Sequence, residues 1–403
     1  MRDLLKEFYL NFNAVNLPII RIDRSERMKK YLTLSALIIG FLFNQCGPKV
    51  TSQSSVDTPE YHFRSGMRYL DQDDFTSAMS AFQQSVDLDK KFSPGWAGLG
   101  LSTGLNGDLG KGRDFIKKAI NLDKKNPQIH VFAGRLWTAS RNENKKWLKM
   151  AEKSFQKALD LKSGDDAANF YLGMAYLYSY NFTGANGQFA KVVENKGDYA
   201  GKADEKWALS QKIVRAHPGT PEGEKIALIP KITRADLSVL LVEELKISEL
   251  IEKFSSQNRP GFQTPAQMVK QKSTSSPPDV TGTWAERWIS ESIELGVMEP
   301  SADGKFYPAD PITRAEYARA VAKIISIVTR STNLGTRYFG EVPSRFSDVP
   351  SSHYAYPAMA LCAERGIMKI ELTSGRFNPT GTVGGADALL IIRELQSSLR
   401  MTF

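Results

Sequence analysis

Small and aromatic residues recur through the first half of this chain at a step of 34 residues, and that period sets what the segment can fold into. With registers starting at Pro59, Ser93 and Pro127, the first unit places Gly66, Tyr69, Ala78, Phe82 and Leu88 at positions 8, 11, 20, 24 and 30. The second has Trp96, Leu99, Gly100, Ala119 and Leu122 at positions 4, 7, 8, 27 and 30, and the third has Gly134 and Trp137 at 8 and 11. Five extra residues around Arg141–Lys146 then intervene before Ala151, Phe155, Ala158 and Leu161 resume the pattern. A fourth unit from Asp166 carries Leu172, Gly173, Tyr176, Ala185 and Phe189. The spacing predicts two antiparallel helices per unit. Small residues at positions 8 and 20 let the backbones approach, and the aromatic at 24 fills the space beside them. One such pair cannot bury its apolar face alone, so neighbours must stack into a superhelix with a concave groove.

These residues resemble tetratricopeptide repeats over about 140 residues, from Pro59 to about Lys196. The resemblance implies a groove that takes a protein partner or peptide. The repeat also disarms a catalytic decoy. Gly100-Leu101-Ser102-Thr103-Gly104 fits the G-x-S-x-G nucleophile elbow, but that motif needs a strand before it, and here it falls inside a repeat helix. The four histidines, His62, His130, His217 and His353, are scattered without metal-ligand spacing. No cofactor or metal is expected.

The C-terminal half repeats itself differently. One set runs Asp279-Val280, Trp284-Ala285, Leu295-Gly296-Val297, Gly304-Lys305-Phe306-Tyr307-Pro308 and Pro311-Ile312-Thr313-Arg314-Ala315-Glu316. The other runs Phe346-Ser347-Asp348-Val349-Pro350, His353-Tyr354-Ala355, Arg365-Gly366-Ile367, Gly375-Arg376-Phe377-Asn378-Pro379 and Val383-Gly384-Gly385-Ala386-Asp387. From Gly304–Glu316 to Gly375–Asp387 the two align without a gap. A third, degenerate copy shows Ile232-Thr233-Arg234-Ala235-Asp236, with Trp207-Ala208 as the remnant of its first helix. Together they resemble surface-layer homology (SLH) modules, short helix–loop–helix units that bind bacterial cell-wall polymers and assemble in threes around a pseudo-threefold axis. The expected fold class is therefore all-α, a tetratricopeptide superhelix at 59–197 followed by three modules at 198–254, 279–330 and 346–400. Residues 255–278, rich in Ser, Gln, Pro and Lys, read as a flexible linker, and 331–345 as a loop.

The helix starts are the candidate binding sites. Thr313-x-x-Glu316 is a capping box, and Tyr317, Val321, Ile324 and Val328 follow at amphipathic helical spacing. Arg314 stands in the first turn, where the helix dipole favours negative charge, so the isolated helix does not ask for it. With an anion bound, its guanidinium and the exposed N–H groups would converge on one carboxylate or phosphate. In the resembled family this arginine holds the acidic sugar of a wall polymer. Thr313, Arg314, Thr233 and Arg234 are the candidates on this ground. A solvated arginine, or one paired with a neighbouring module's carboxylate, is the bland alternative. The third module has Gly384-Gly385 instead, so at most two sites can work this way. Trp284 and Tyr354 match the first-helix aromatic of each module. Core packing is the expected role of both, with Trp284 carried as a candidate polymer contact.

The N-terminus points to export. Met28-Lys29-Lys30 precedes an uncharged run of thirteen residues, Tyr31 to Phe43, too short to span a bilayer, and Cys46-Gly47 follows. This resembles a bacterial lipoprotein signal and implies lipidation at Cys46, although Phe43-Asn44-Gln45 replaces the usual small residues. The alternative is a free thiol after an uncleaved signal anchor. Residues 1–27 read as an upstream extension ahead of a true start at Met28, so 1–45 is set aside and 46–58 is a linker. The other cysteine, Cys362, reads as a buried small hydrophobe, leaving no disulfide framework. The chain has 53 basic and 44 acidic residues; residues 1–45 hold seven and four of these, leaving +6 beyond them. With no Lys/Arg-rich run, nucleic acid is not indicated.

The expected protein is a non-enzymatic envelope lipoprotein, anchored in the outer membrane facing the periplasm. Its modules would grip peptidoglycan or a secondary wall polymer, and its repeat groove a protein partner. The rivals are an assembly or secretion accessory acting through the repeats, and a wall-targeted polysaccharide enzyme.

Overall fold

The computed structural model describes residues 57–257, 276–331 and 333–400. The signal segment, Cys46 and most of the 255–278 linker lie outside the described residues. Among those described, the secondary structure is helical apart from isolated bridges, and no helix is long and apolar enough to cross a membrane.

Four helix pairs form the repeats: α1 (Pro59–Asp71) with α2 (Phe75–Leu88), α3 (Ser93–Leu105) with α4 (Leu109–Leu122), α5 (Pro127–Ala139) with α6 (Trp147–Leu161), and α7 (Asp166–Tyr178) with α8 (Phe182–Asn195). The turns between partners are built alike in three of them. A residue with positive φ (Asp73, Gly107 or Tyr180) reverses the chain, and the next side chain (Asp74, Asp108 or Asn181) caps the second helix. The third pair lacks this cap. Its five extra residues include a 3₁₀ turn, Ser140–Asn142, and α6 starts after Lys146 without a side-chain cap.

The glycine–aromatic rule holds in three pairs. A Cβ on Gly66 would lie 2.6 Å from the Phe82 ring, one on Gly134 2.5 Å from Phe155, and one on Gly173 2.7 Å from Phe189. In the second pair Ile116 replaces the aromatic, and the backbones close the gap themselves. A Cβ on Gly100 would sit 2.8 Å from the Gly112 carbonyl, and one on Gly112 2.7 Å from the Gly100 carbonyl. Ser102, between them, is fully buried and donates to the carbonyls of Gly98 and Leu99 in its own helix, at 2.9 and 3.2 Å. It faces no cleft.

Successive first helices pack on one another, α1 on α3, α3 on α5 and α5 on α7, which places them on the inner side of the curve. The curve is tight enough to bring Phe63 of α1 within 6.3 Å of Phe132 of α5, centroid to centroid.

Helix α9 (Ala200–Ala216) does two jobs. It packs on α8 as the last layer of the repeats, and on α16 (Gly385–Arg400) at the far end of the chain. The first module continues with α10 (Pro221–Ala227), α11 (Arg234–Val239), a π turn at Leu240–Glu244 and α12 (Ile247–Gln257). The second comprises α13 (Glu286–Glu294) and α14 (Arg314–Thr329), and the third α15 (Tyr356–Glu364) and α16. One hydrophobic core runs without interruption from Phe170, Phe182 and Phe189 of the fourth repeat through Ile213 into all three modules, ending at Leu399. Cys362 lies in it, fully buried, and burial pushes its thiol pKa up to about 12.

Around the module axis three loop strands meet. Ile312 N–H donates to the Ile232 carbonyl at 3.0 Å, and Ile232 N–H to the Val383 carbonyl at 2.9 Å. Isolated bridges join Thr233 with Pro311 and Thr313 with Thr382. The register of the first module differs from the sequence reading. Trp284 and Tyr354 stand the same number of residues before the left-handed Gly296 and Gly366 that end their helices; the same step back from left-handed His217 falls on Glu205. Trp207 is thus not their counterpart.

Candidate functional site

Both predicted helix starts form. Thr313 Oγ1 accepts from Glu316 N–H at 3.3 Å while the Glu316 carboxylate accepts from Thr313 N–H at 2.9 Å. Thr233 and Asp236 do the same at 3.2 and 2.8 Å. The next N–H groups are not exposed, as an anion site would need. Arg314 and Ala315 N–H donate to the carbonyls of Gly381 and Pro379, at 2.8 and 3.0 Å, and Arg234 and Ala235 N–H to those of Asp310 and Pro308, at 2.9 and 3.0 Å. Each module's helix start is plugged by the loop of the next.

The arginine side chains lie in the same junctions. Arg314 Nε donates to the Phe377 carbonyl and its terminal nitrogen to the Lys369 carbonyl, both at 2.8 Å, with the guanidinium 4.7 Å above the Phe377 ring. Arg234 repeats this on the Phe306 and Glu299 carbonyls, both at 2.8 Å, and 4.7 Å above Phe306. A further Arg234 nitrogen reaches Glu316 at 3.3 Å. Desolvation lowers the Arg314 pKa, opposed by Asp387 and Asp348. This corrects the expectation that stability does not ask for the arginine. The isolated helix does not, but the neighbouring module supplies carbonyl oxygens that offset the dipole.

The carbonyls are in place because each loop is pinned. Asp279 accepts from Phe306 and Tyr307 N–H at 2.9 and 2.7 Å, and Asp348 from Phe377 and Asn378 N–H at 2.9 and 2.8 Å. Tyr307 and Asn378 have positive φ, so the aspartate holds the bend that turns the preceding carbonyl toward the arginine. Desolvation works against both carboxylates, yet these amides prevail and hold their pKa below the ordinary range.

The third junction is closed by backbone. Gly385 N–H donates to the Ile229 carbonyl at 2.8 Å, and a Cβ at 385 would lie 1.7 Å from the Ile226 carbonyl. No side chain fits there, which accounts for Gly385. Arg393, two turns further along α16, takes over. It donates to the Ala216 and His217 carbonyls at 2.7 and 2.9 Å and pairs with buried Glu244.

Beside Arg234 a groove of about 660 Å³ opens between the modules. Its lining includes Arg234, Arg319, Lys323 and Arg330, the carboxylates Glu299 and Glu316, and Tyr354 with Pro357. Arg319, Lys323 and Arg330 belong to α14 or its C-cap. Arg319 and Lys323 are about half exposed and share one carboxylate, Glu299, at 3.6 and 3.0 Å. Tyr354 is 67% exposed, with Arg319 5.5 Å from its ring centroid. Trp284, its counterpart in the second module, is 63% exposed, and its neighbour Trp288 donates to Glu243 at 2.7 Å. Core packing is therefore not the role of either aromatic. Both lie two residues ahead of their helices and point outward, while Ile289 and Met359 within the helices face the core. Sequence reading named Arg234 and Trp284 but missed Arg319 and Lys323. The signal was available: they sit four residues apart on the face of α14 opposite the buried Tyr317–Val321–Ile324 stripe.

The S-layer homology domain profile matches residues 278–318 and 345–389. These are the second and third modules. The profile does not match residues 198–254, where Arg234 makes the contacts that Arg314 makes in the second module. Among solved structures, YrrB, described as a TPR protein with an unusual peptide-binding site, aligns at 17% identity over 40% of this chain and 80% of its own, with a TM-score of 0.26. PilF of Pseudomonas aeruginosa aligns at 12% identity over 40% of this chain and 93% of its own, with a TM-score of 0.21. No curated protein matches the chain.

Proposed function

We propose that this is a non-enzymatic cell-envelope protein whose S-layer homology modules hold an acidic wall polymer in the Arg234–Arg319–Lys323–Tyr354 groove, while its repeats hold a protein partner. Lipidation at Cys46, with the outer membrane as its anchor, belongs to the same proposal and rests on the N-terminal sequence. The observation that carries the groove assignment is the convergence of four basic side chains, Arg234, Arg319, Lys323 and Arg330, with the exposed Tyr354 ring in one concavity, on modules of a wall-binding family. An aromatic face suits a sugar ring, and the cations suit a carboxylate or phosphate on it. Arg314 and the capping threonines Thr313 and Thr233 support the groove by fixing the junctions around it. Trp284 offers a second exposed platform.

The test uses residues that hold no junction. Arg319→Ala with Lys323→Ala leaves the core intact and removes two exposed charges, each worth up to about 1 kcal/mol, so sedimentation with purified sacculi should weaken roughly ten-fold. Glu299→Gln frees both cations and should strengthen it. Unchanged sedimentation of both variants would discard the groove and leave the repeats as the functional part.

A further inference from the structure

The inner face of the repeats carries two adjoining concavities, of about 480 and 200 Å³, which share Arg135 and Tyr171. The smaller is bounded by Leu101 and Leu105 of α3, Arg135 of α5, and Tyr171, Met174 and Tyr178 of α7, with Arg141 at its rim. Its two arginines are presented alike. Arg135 lies 4.1 Å from the Tyr171 ring centroid and Arg141 4.5 Å from that of Tyr178. A guanidinium held by its face against a ring keeps its N–H edge available, and that edge matches a carboxylate. No acidic side chain is among the walls. The floor beside the cations is aliphatic, and the larger concavity continues past Tyr171 toward Met67 of α1 and Tyr199. The smaller concavity is thus basic with an aliphatic floor, whereas the larger is polar and carries Lys162, Asp165, Asp166 and Asp198.

Building on the reading of the repeats as a peptide groove, we propose that the smaller concavity takes the acidic stretch of an extended peptide, whose carboxylate side chains meet Arg135 and Arg141 while alternate aliphatic side chains lie on Leu101, Leu105 and Met174. Alternation follows from the extended backbone, which points successive side chains to opposite sides. The charge pattern excludes a basic partner segment at this end.

The experiment is fluorescence anisotropy of the full chain with short labelled peptides of alternating leucine and glutamate, leucine and glutamine, leucine and lysine, or serine and glutamate. The leucine–glutamate peptide should bind tightest. Arg135→Gln and Arg141→Gln should each weaken it about ten-fold, as expected for loss of a charge-assisted contact, and the double variant further. Arg135→Lys, which keeps charge and bulk, should recover part of the loss, separating the contact from a folding defect. Leucine–glutamine binding equal to leucine–glutamate, or indifference to the double variant, would overturn the acidic assignment while leaving a peptide groove. Binding by none of the four would overturn both.

Discussion

Arg314 shows how a residue chosen for a binding reason can carry a structural one. Its helix would prefer an anion at this point, and two carbonyl oxygens of the next module meet its charge instead. A hydrogen bond to a charged group contributes about 1.5–3 kcal/mol. Only the bond to Phe377 is sheltered, while that to Lys369 is exposed, so Arg314→Ala should lower the stability of the described fold by roughly the worth of one such bond. Chemical denaturation checks this, and a midpoint equal to wild type would return Arg314 to the role of a free hook. Arg319→Ala should show no such loss, because its side chain is half exposed and its partner is a surface carboxylate. The two arginines thus divide between framework and surface. The division was not legible in the sequence, for a plain reason. Arg314's partners are main-chain carbonyls of Phe377 and Lys369, and a carbonyl leaves no trace in residue type. The capping boxes, by contrast, were legible because both partners are side chains at a fixed local spacing.

At the scale of elements, the repeats were readable because each helix pair needs its glycine and its ring at set positions. Gly173 makes the point quantitative. A Cβ there would lie within 3.0 Å of three Phe189 ring atoms, so even Gly173→Ala forces the ring to move and Gly173→Leu overpacks the pair. Overpacking costs about 1–3 kcal/mol, and because repeats lean on their neighbours the loss should spread to the third unit. Thermal unfolding followed by circular dichroism tests this; an unshifted transition would contradict the pairing of Gly173 with Phe189. Helix α9 was harder to read. Its buried residues, Ala203, Ser210, Ile213 and Ala216, are few and small and serve two neighbours rather than one. A helix gripped from two sides shows no single apolar stripe.

For the whole molecule, the sequence boundary at 197/198 is not a boundary of the core. Phe170 packs against Tyr199 just ahead of α9, at 5.3 Å between centroids, and Lys202 reaches back to Asp71 at 3.3 Å. A fragment of residues 57–197 should therefore unfold at a lower temperature than one of residues 57–217, which keeps α9 over α8. Calorimetry of the two decides the point, and equal transition temperatures would restore the boundary to the place where the repeat pattern ends.

The shared helix also has a mechanical consequence. Tethers that join a wall to a cargo through a loose linker let either end swivel, and a tug on one is absorbed by slack. Here the repeats and the modules share α9, which packs on α8 on one side and on α16 on the other. If the repeats hold a cargo and the modules a wall polymer, as proposed, a pull on the cargo would pass through α9 into the junction that Arg393 closes on Ala216 and His217. The protein behaves as a bracket rather than a leash.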